Sequence, residues 1–240
     1  MTASQQQTIP KRLSPFHRKQ ASVGAKFTQD QLGWELAERF TEPAKEREAA
    51  QRSVGVGDIS HLVKLSLKNT AIAQIVARLY NRSELETKGI VLTNGPGPLK
   101  VALCAVLCED EAMLIMGPSD GEPISKQLGD EPNHLTPIDV SSVFAGTYIL
   151  GPKSRALLWK LTELNVNPEG FPNFSATHAP IRHVPSIVLR FDTGDMLGYQ
   201  IYFERAYSEY MWDVVFGAGF ELGIVPVGSS SLKLLGWSMG

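Results

Sequence analysis

Twice along this chain an alternating apolar segment breaks at a polar turn and resumes with helical spacing, and that repeated switch narrows the folds open to it. In the first unit Val63, Leu65 and Leu67 alternate with Lys64, Ser66 and Lys68, which predicts a strand with one wet face. Asn69 then stands where it can cap a helix whose Ile72, Ile75, Val76 and Leu79 form an apolar stripe. In the second, Tyr148, Ile149 and Leu150 lead through Gly151 and Pro152 into a helix carrying Leu157, Leu158, Leu161 and Leu164 on related faces. Two units are too few to stack as a solenoid and read as two related halves.

The remaining segments fit the same mixture. Ile187, Leu189 and Phe191 alternate in one predicted strand and Tyr199, Ile201 and Phe203 in another, with residues 192–195 turning between them. Residues 207–216 predict a helix that packs Met211, Val214 and Val215 against the sheet. The Gly- and Pro-containing turn 94–98 separates Ile90, Val91 and Leu92 from the apolar run 99–107, in the manner of a hairpin. Residues 112–116 predict a further strand, and the polar interval 117–136 is long enough that a short element is expected inside it. Upstream, a short amphipathic segment lies around Leu32, Leu36 and Phe40, and the charged stretch 41–50 predicts a helix. Mixed strand and helix periodicities place the chain in the α+β class, with mainly antiparallel sheets and packed helices. Residues 1–12 are polar, with Gln5, Gln6 and Gln7 in succession, and predict a flexible tail before a core at 13–240.

At 240 residues the chain is long enough to bury a large core. Its 23 Lys and Arg balance 25 Asp and Glu without a block of like charge, which argues against electrostatic capture of nucleic acid or of an anionic membrane. No early apolar stretch reads as an export signal and no apolar run spans a bilayer, so residence in the cytoplasm is the expectation. Cys104 and Cys108 share an apolar run and read as two buried thiols, with a catalytic or metal-binding pair as the alternative. Asp58 and His61 sit close enough in sequence to invite an acid–base reading, and His178 and His183 lie in a Pro-bounded segment. Neither pair has the spacing of a zinc site, and structural or solvent-facing roles are expected for these histidines.

A run of short motifs in a fixed order carries more weight. Residues 14–17 (Ser-Pro-Phe-His), 24–27 (Gly-Ala-Lys-Phe) and 33–35 (Gly-Trp-Glu) are followed by Arg-Ser-Val-Gly-Val-Gly-Asp-Ile-Ser-His-Leu at 52–62. Further matches stand at 92–97, 190–199 and 223–234. Together they resemble the glycine-cleavage T-protein family of folate-dependent aminomethyltransferases, in order from about residue 14 to 236. Gly151-Pro152-Lys153-Ser154 is close to the family's strand-to-helix turn, whereas Leu67-Lys68-Asn69-Thr70 departs from it.

The resemblance implies a cavity for tetrahydrofolate and transfer of a one-carbon unit from an aminomethyl or methyl donor, with no metal. It implies cofactor contacts at Asn94, before the glycine turn, at Arg190, at Asp195 as the nearest counterpart of a signature glutamate, and at Tyr199. On the residues alone each has a structural reading: an Asx turn at Asn94, a strand-end ion pair at Arg190, a surface turn at Asp195 and core packing at Tyr199. Two departures bear on the reaction. Val101 and Ala102 stand at or near the positions of the family's acidic residues, and Gly89 replaces an aromatic residue. The family's last domain, a small barrel, has no counterpart in this sequence. The catalytic residues are therefore left unassigned, and a noncatalytic folate-binding or assembly subunit is the alternative. A second copy or a partner subunit is expected to complete the pocket and keep out water.

Overall fold

The computed structural model describes residues 10–83, 89–93, 95, 99, 102–129 and 135–237. The first strand, β1 (Arg12–Leu13), lies within three residues of the predicted tail's end, and Lys11 pairs with Glu35 at 2.7 Å. Residues 1–9 of that tail lie outside the described ones, but its end is held by backbone pairing, which needs no apolar side chain. After α1 (His17–Ser22) come β2 (Lys26–Gln29) and β3 (Trp34–Arg39), and β3 sits between β1 and β2 in a small sheet. The segment around Leu32, Leu36 and Phe40 is thus a turn and a strand. The charged stretch is α2 (Pro43–Arg52), with proline at its first turn, where its missing N–H costs nothing.

From there β4 (Val54–Asp58) and β5 (Val63–Lys68) lead to α3 (Ile72–Leu79). Asn69 accepts the Ala71 N–H on its side chain at 2.9 Å and forms a turn ahead of the helix, while Ala71 takes the cap position. The hairpin expected around residue 95 pairs β6 (Ile90–Leu92) antiparallel with β7 (Leu103–Val106). β8 (Glu111–Met116) follows, and the long polar interval contains α4 (Gly121–Gly129). After β9 (Ile138–Asp139), the second strand-to-helix unit is β10 (Phe144–Leu150) and α5 (Ser154–Leu161), which stops short of Leu164. The chain ends through β11 (Ala176–Ile181), β12 (Val184–Arg190), β13 (Gly198–Glu204), α6 (Ser208–Gly219), β14 (Ile224–Val227) and α7 (Ser229–Leu234).

Two larger sheets result, in the orders β11-β12-β13-β10-β4-β14 and β6-β7-β8-β5-β9. All their pairings are antiparallel except β14 with β4, so the α+β class holds. The side chains sort into layers with the period of two that a strand imposes. On β7 and β8, Cys104, Leu114 and Met116 join Ile75 and Leu79 beneath α3, while Ala105, Met113 and Ile115 meet Tyr148, Leu189 and Tyr202 of the other sheet. On the far side of the six-stranded sheet, Ile149, Tyr199, Ile201 and Phe203 pack on Leu157 and Leu161 of α5 and Met211 and Val215 of α6. The architecture is helix, sheet, sheet, helix, with one strand-to-helix unit in each half.

That layering corrects the expected wet face of β5. Lys64 points between the sheets and is 0% exposed. Its ammonium donates to the Ser60 carbonyl at 2.8 Å and stands 5.9 Å from the centre of the Tyr202 ring. Burial lowers its pKa from 10.5 to about 7, against the opposing pull of Asp58 and Asp139. A polar residue in an alternating strand shows which face it is on, but not whether a second sheet covers that face.

The two ends of the chain meet at Glu46 of α2, a buried carboxylate. One oxygen accepts the backbone N–H groups of Phe40 and Thr41 at 2.6 and 2.7 Å. The other accepts the N–H of Gly228 at 2.9 Å and the hydroxyl of Ser231, at the start of α7. Four donors around one carboxylate satisfy its lone pairs and join the N-terminal sheet to the last strand and helix.

Candidate functional site

The turn between β12 and β13 is built around a carboxylate, that of Asp192. It receives Arg190 Nη2 at 2.9 Å and Nε at 3.3 Å, and the Gly198 N–H at 3.0 Å. Arg190 Nη1 donates to the Phe171 carbonyl at 2.8 Å, and Asn173 accepts the Asp192 N–H at 3.0 Å. Three of the five N–H groups of this buried guanidinium thus join the turn to the 171–174 segment. Its role here is the strand-end ion pair, with a planar donor fork matched to the carboxylate. Asp192, two residues on, is the partner that the family comparison passes over, and its spacing from Arg190 is the sequence signal for it.

Asp195 lies exposed at the tip of the same turn, next to Gly194, whose φ of +58° is easy only for glycine. Tyr199 lies one strand residue beyond Gly198 and points the opposite way, into the core under α5, where its ring stacks parallel to Phe171 at 6.5 Å. Burial raises the pKa of its hydroxyl, against the opposing pull of the nearby Arg155 guanidinium. The fold thus brings Arg190, Asp195 and Tyr199 to one turn but sends their side chains to three different environments. Asn94 and Val101 lie outside the described residues. Ala102 is 1% exposed beneath α3, with its carbonyl accepting the Tyr80 hydroxyl at 3.3 Å.

Beside the turn stands an aromatic wall that the sequence motifs did not single out. Tyr148 reaches across from β10, donates to the Phe191 carbonyl at 2.9 Å and shares a 2.6 Å hydrogen bond with the Thr193 hydroxyl. A side chain on Gly198 would put its Cβ 2.4 Å from the Tyr148 hydroxyl, which is why glycine opens β13. Trp237 packs on Tyr148 at 4.6 Å and meets Phe191 edge-on at 6.4 Å, and Phe174 meets Phe191 edge-on at 5.8 Å. Phe174 is 42% exposed and adopts a φ of +65°, an uncommon conformation for a bulky residue. Gly89, where the family has an aromatic residue, pairs through its carbonyl with the Ala176 N–H at 3.0 Å. The exposed ring of Phe174 and the partly buried Phe191, backed by the buried Trp237 and with Asp195 and Thr193 on the adjoining turn, are of the kind that can meet a planar heterocycle. No carboxylate that is both buried and free stands against this wall among the described residues.

The other candidates resolve separately. Cys104 is buried in the core, its thiol pushed up to about 12 by desolvation, while Cys108 is half-exposed and donates to Asp110 at 3.0 Å. His178 lies 3.3 Å from Glu111 on the surface. No group of three or more His, Cys, Asp and Glu side chains that could hold a metal occurs among the described residues, and no described helix is long and apolar enough to cross a membrane.

The chain is similar to the aminomethyltransferase of Halothermothrix orenii, with 22% identity over 222 residues that cover 90% of this chain. It spans 61% of that protein's length. Among solved structures it superposes on the glycine cleavage system aminomethyltransferase T of Bartonella henselae with a TM-score of 0.76 at 14% identity, covering 94% of this chain and 62% of that one. It also superposes on a chain of the heterotetrameric sarcosine oxidase from Corynebacterium sp. U-96 with a TM-score of 0.61 at 18% identity, covering 90% of this chain and 98% of that one. The family model for the GCVT N-terminal domain matches residues 16–240, and the chain belongs to that family.

Proposed function

We propose that this chain is a folate-type scaffold that works as a subunit of a larger assembly handling one-carbon units, and not as a free-standing aminomethyltransferase. The observation that carries the proposal is the engagement of Arg190: its guanidinium is occupied by Asp192 and the Phe171 carbonyl. A second point is the burial of Ala102 beneath α3, next to the positions where the family carries its acidic residues. A chain of a heterotetrameric oxidase that this one matches over 98% of its length is consistent with a subunit role.

Tetrahydrofolate is the ligand we assign to the aromatic wall, with Asp195 as a polar contact and Phe174 and Phe191 against its pterin ring; the family resemblance assigns Asn94 to the same ligand. When bound, it would supply a nitrogen that accepts a one-carbon unit. Arg190 would then hold the shape of the turn, and Tyr199 the packing beneath it. A partner subunit would close the open side of the wall and exclude water.

The test is calorimetry with tetrahydrofolate, together with product analysis after incubation of the purified chain with tetrahydrofolate and an aminomethyl or methyl donor. Binding without turnover is expected, and Asp195→Ala should weaken the binding. Turnover by the chain alone would overturn the subunit reading. An absence of binding heat at about millimolar ligand, equivalent to less than about 4 kcal/mol of affinity, would overturn the folate assignment.

A further inference from the structure

A cavity of about 280 Å³ lies between the β2–β3 hairpin and α7, with room for about nine waters at liquid density. Its floor is apolar, formed by Leu36, Val227, Leu232 and Trp237. Its lining includes residues of both charges: Asp30 and Asp58, and Lys233 on α7. The hydrogen bonds that Asp30 makes to Leu32 and Trp34 all fall on Oδ1, which leaves Oδ2 for another donor. Asp58 is fixed in place by Ser14, by Gln20 at 2.9 Å and by the Ser60 N–H at 2.9 Å.

His61 also lines the cavity, and it is only 7% exposed. Its Nδ1 has no hydrogen-bond partner among the described residues. Burial lowers the pKa of the ring against the pull of Asp58, so the imidazole is kept neutral and can both donate and accept. A buried ring nitrogen without a partner is costly unless something completes it, and His61 belongs to the lining of this cavity.

We propose that this cavity binds a small zwitterion with an apolar tail, in chemical class an α-amino acid: its ammonium meets Asp30 and Asp58, its carboxylate meets Lys233, and His61 supplies a neutral hydrogen bond. The tail lies on Leu36, Leu232 and Trp237. Opposite charges on one lining favour a molecule that carries both, because a singly charged one meets only one of the two signs. The cavity shares Trp237 with the aromatic wall, but its charged lining is separate from the residues of the folate assignment.

Three compounds of nearly equal shape separate the alternatives in calorimetry of the full chain: L-leucine, 3-methylbutylamine and 4-methylpentanoate. Saturable binding of leucine is expected, with each singly charged analogue at least about tenfold weaker. Lys233→Met, at an exposed position, should weaken leucine by about tenfold and leave the amine unchanged. Ser229→Trp, which fills the cavity from the first turn of α7, should abolish all binding, with circular dichroism reporting whether the fold is kept. No saturable heat from any of the three at about 10 mM would overturn the site. Equal binding of leucine and either analogue, or an unchanged leucine affinity in Lys233→Met, would overturn the zwitterion assignment.

Discussion

Replacing Lys64 with methionine should stabilise the protein at neutral pH and remove a pH dependence that the wild type shows. In the folded protein the ammonium loses its hydration between two sheets, and its pKa falls from 10.5 to about 7. Between those values the folded state holds fewer protons than the unfolded one, so stability rises with pH across that window, and the penalty is full below its lower edge. A depression of that size is worth about 5 kcal/mol in total, of which about 2 kcal/mol is recovered between about pH 7 and about pH 9. Methionine keeps the length and flexibility of the lysine stem but has no charge to desolvate. It gives up the hydrogen bond to the Ser60 carbonyl and the contact with the Tyr202 ring, which offset about 2–4 kcal/mol of the gain. The net expectation is a stabilisation of about 1–3 kcal/mol at neutral pH. Urea titrations of both proteins at several pH values separate this from the titration of other groups, since only the difference between the two curves belongs to Lys64. Parallel curves across the window would show that Lys64 is not desolvated as described, and the argument for a covered β5 face would fail with them.

The carboxylate of Glu46 should be as sensitive as a buried ion. Glu46→Gln turns an amide group toward N–H donors and should cost about 2–4 kcal/mol in urea denaturation. Arg190→Ala leaves Asp192 without its cation and should lower stability by about 3 kcal/mol, so any loss of ligand affinity in that variant must be read beside its melting curve. Of the two cysteines, Cys108 alone should react with a thiol reagent in native buffer, and both in denaturant, because Cys104 is enclosed by the core under α3.

Period and turn chemistry were enough to read most elements. Strands β5, β8, β10, β12 and β13 and helices α2, α3, α5 and α6 lie close to where alternation and apolar stripes put them. What stayed hidden depends on contacts far apart in sequence. The burial of Lys64 needs Tyr202 on another sheet, and the role of Glu46 needs donors at both ends of the chain. Around β3 the spacing of Leu32, Leu36 and Phe40 is that of a helix face, yet pairing with β1 and β2 makes residues 34–39 a strand. In the candidate site the ordered motifs located the right turn, but a motif does not report which atoms its side chains meet. Arg190 is paired with Asp192, and Trp237 packs behind the wall with no motif of its own. His61, read as structural or solvent-facing, is shielded and lacks a partner at one nitrogen.

The pairing of β14 with β4 has a consequence for synthesis. β4 is made well before its outer neighbour leaves the ribosome, and well before the Gly228 and Ser231 donors for Glu46. At ordinary translation rates the interval is on the order of ten seconds or more, during which the edge of β4 stands open and a buried-to-be carboxylate has half its partners. An open, apolar strand edge invites pairing with another nascent chain. The glycines at 55 and 57 blunt that hazard, since a strand carrying little side chain is a weak template until Val227 and Leu232 arrive to pack against it. A ribosome stalled just before β14 should therefore hold a chain that is largely layered but not yet locked.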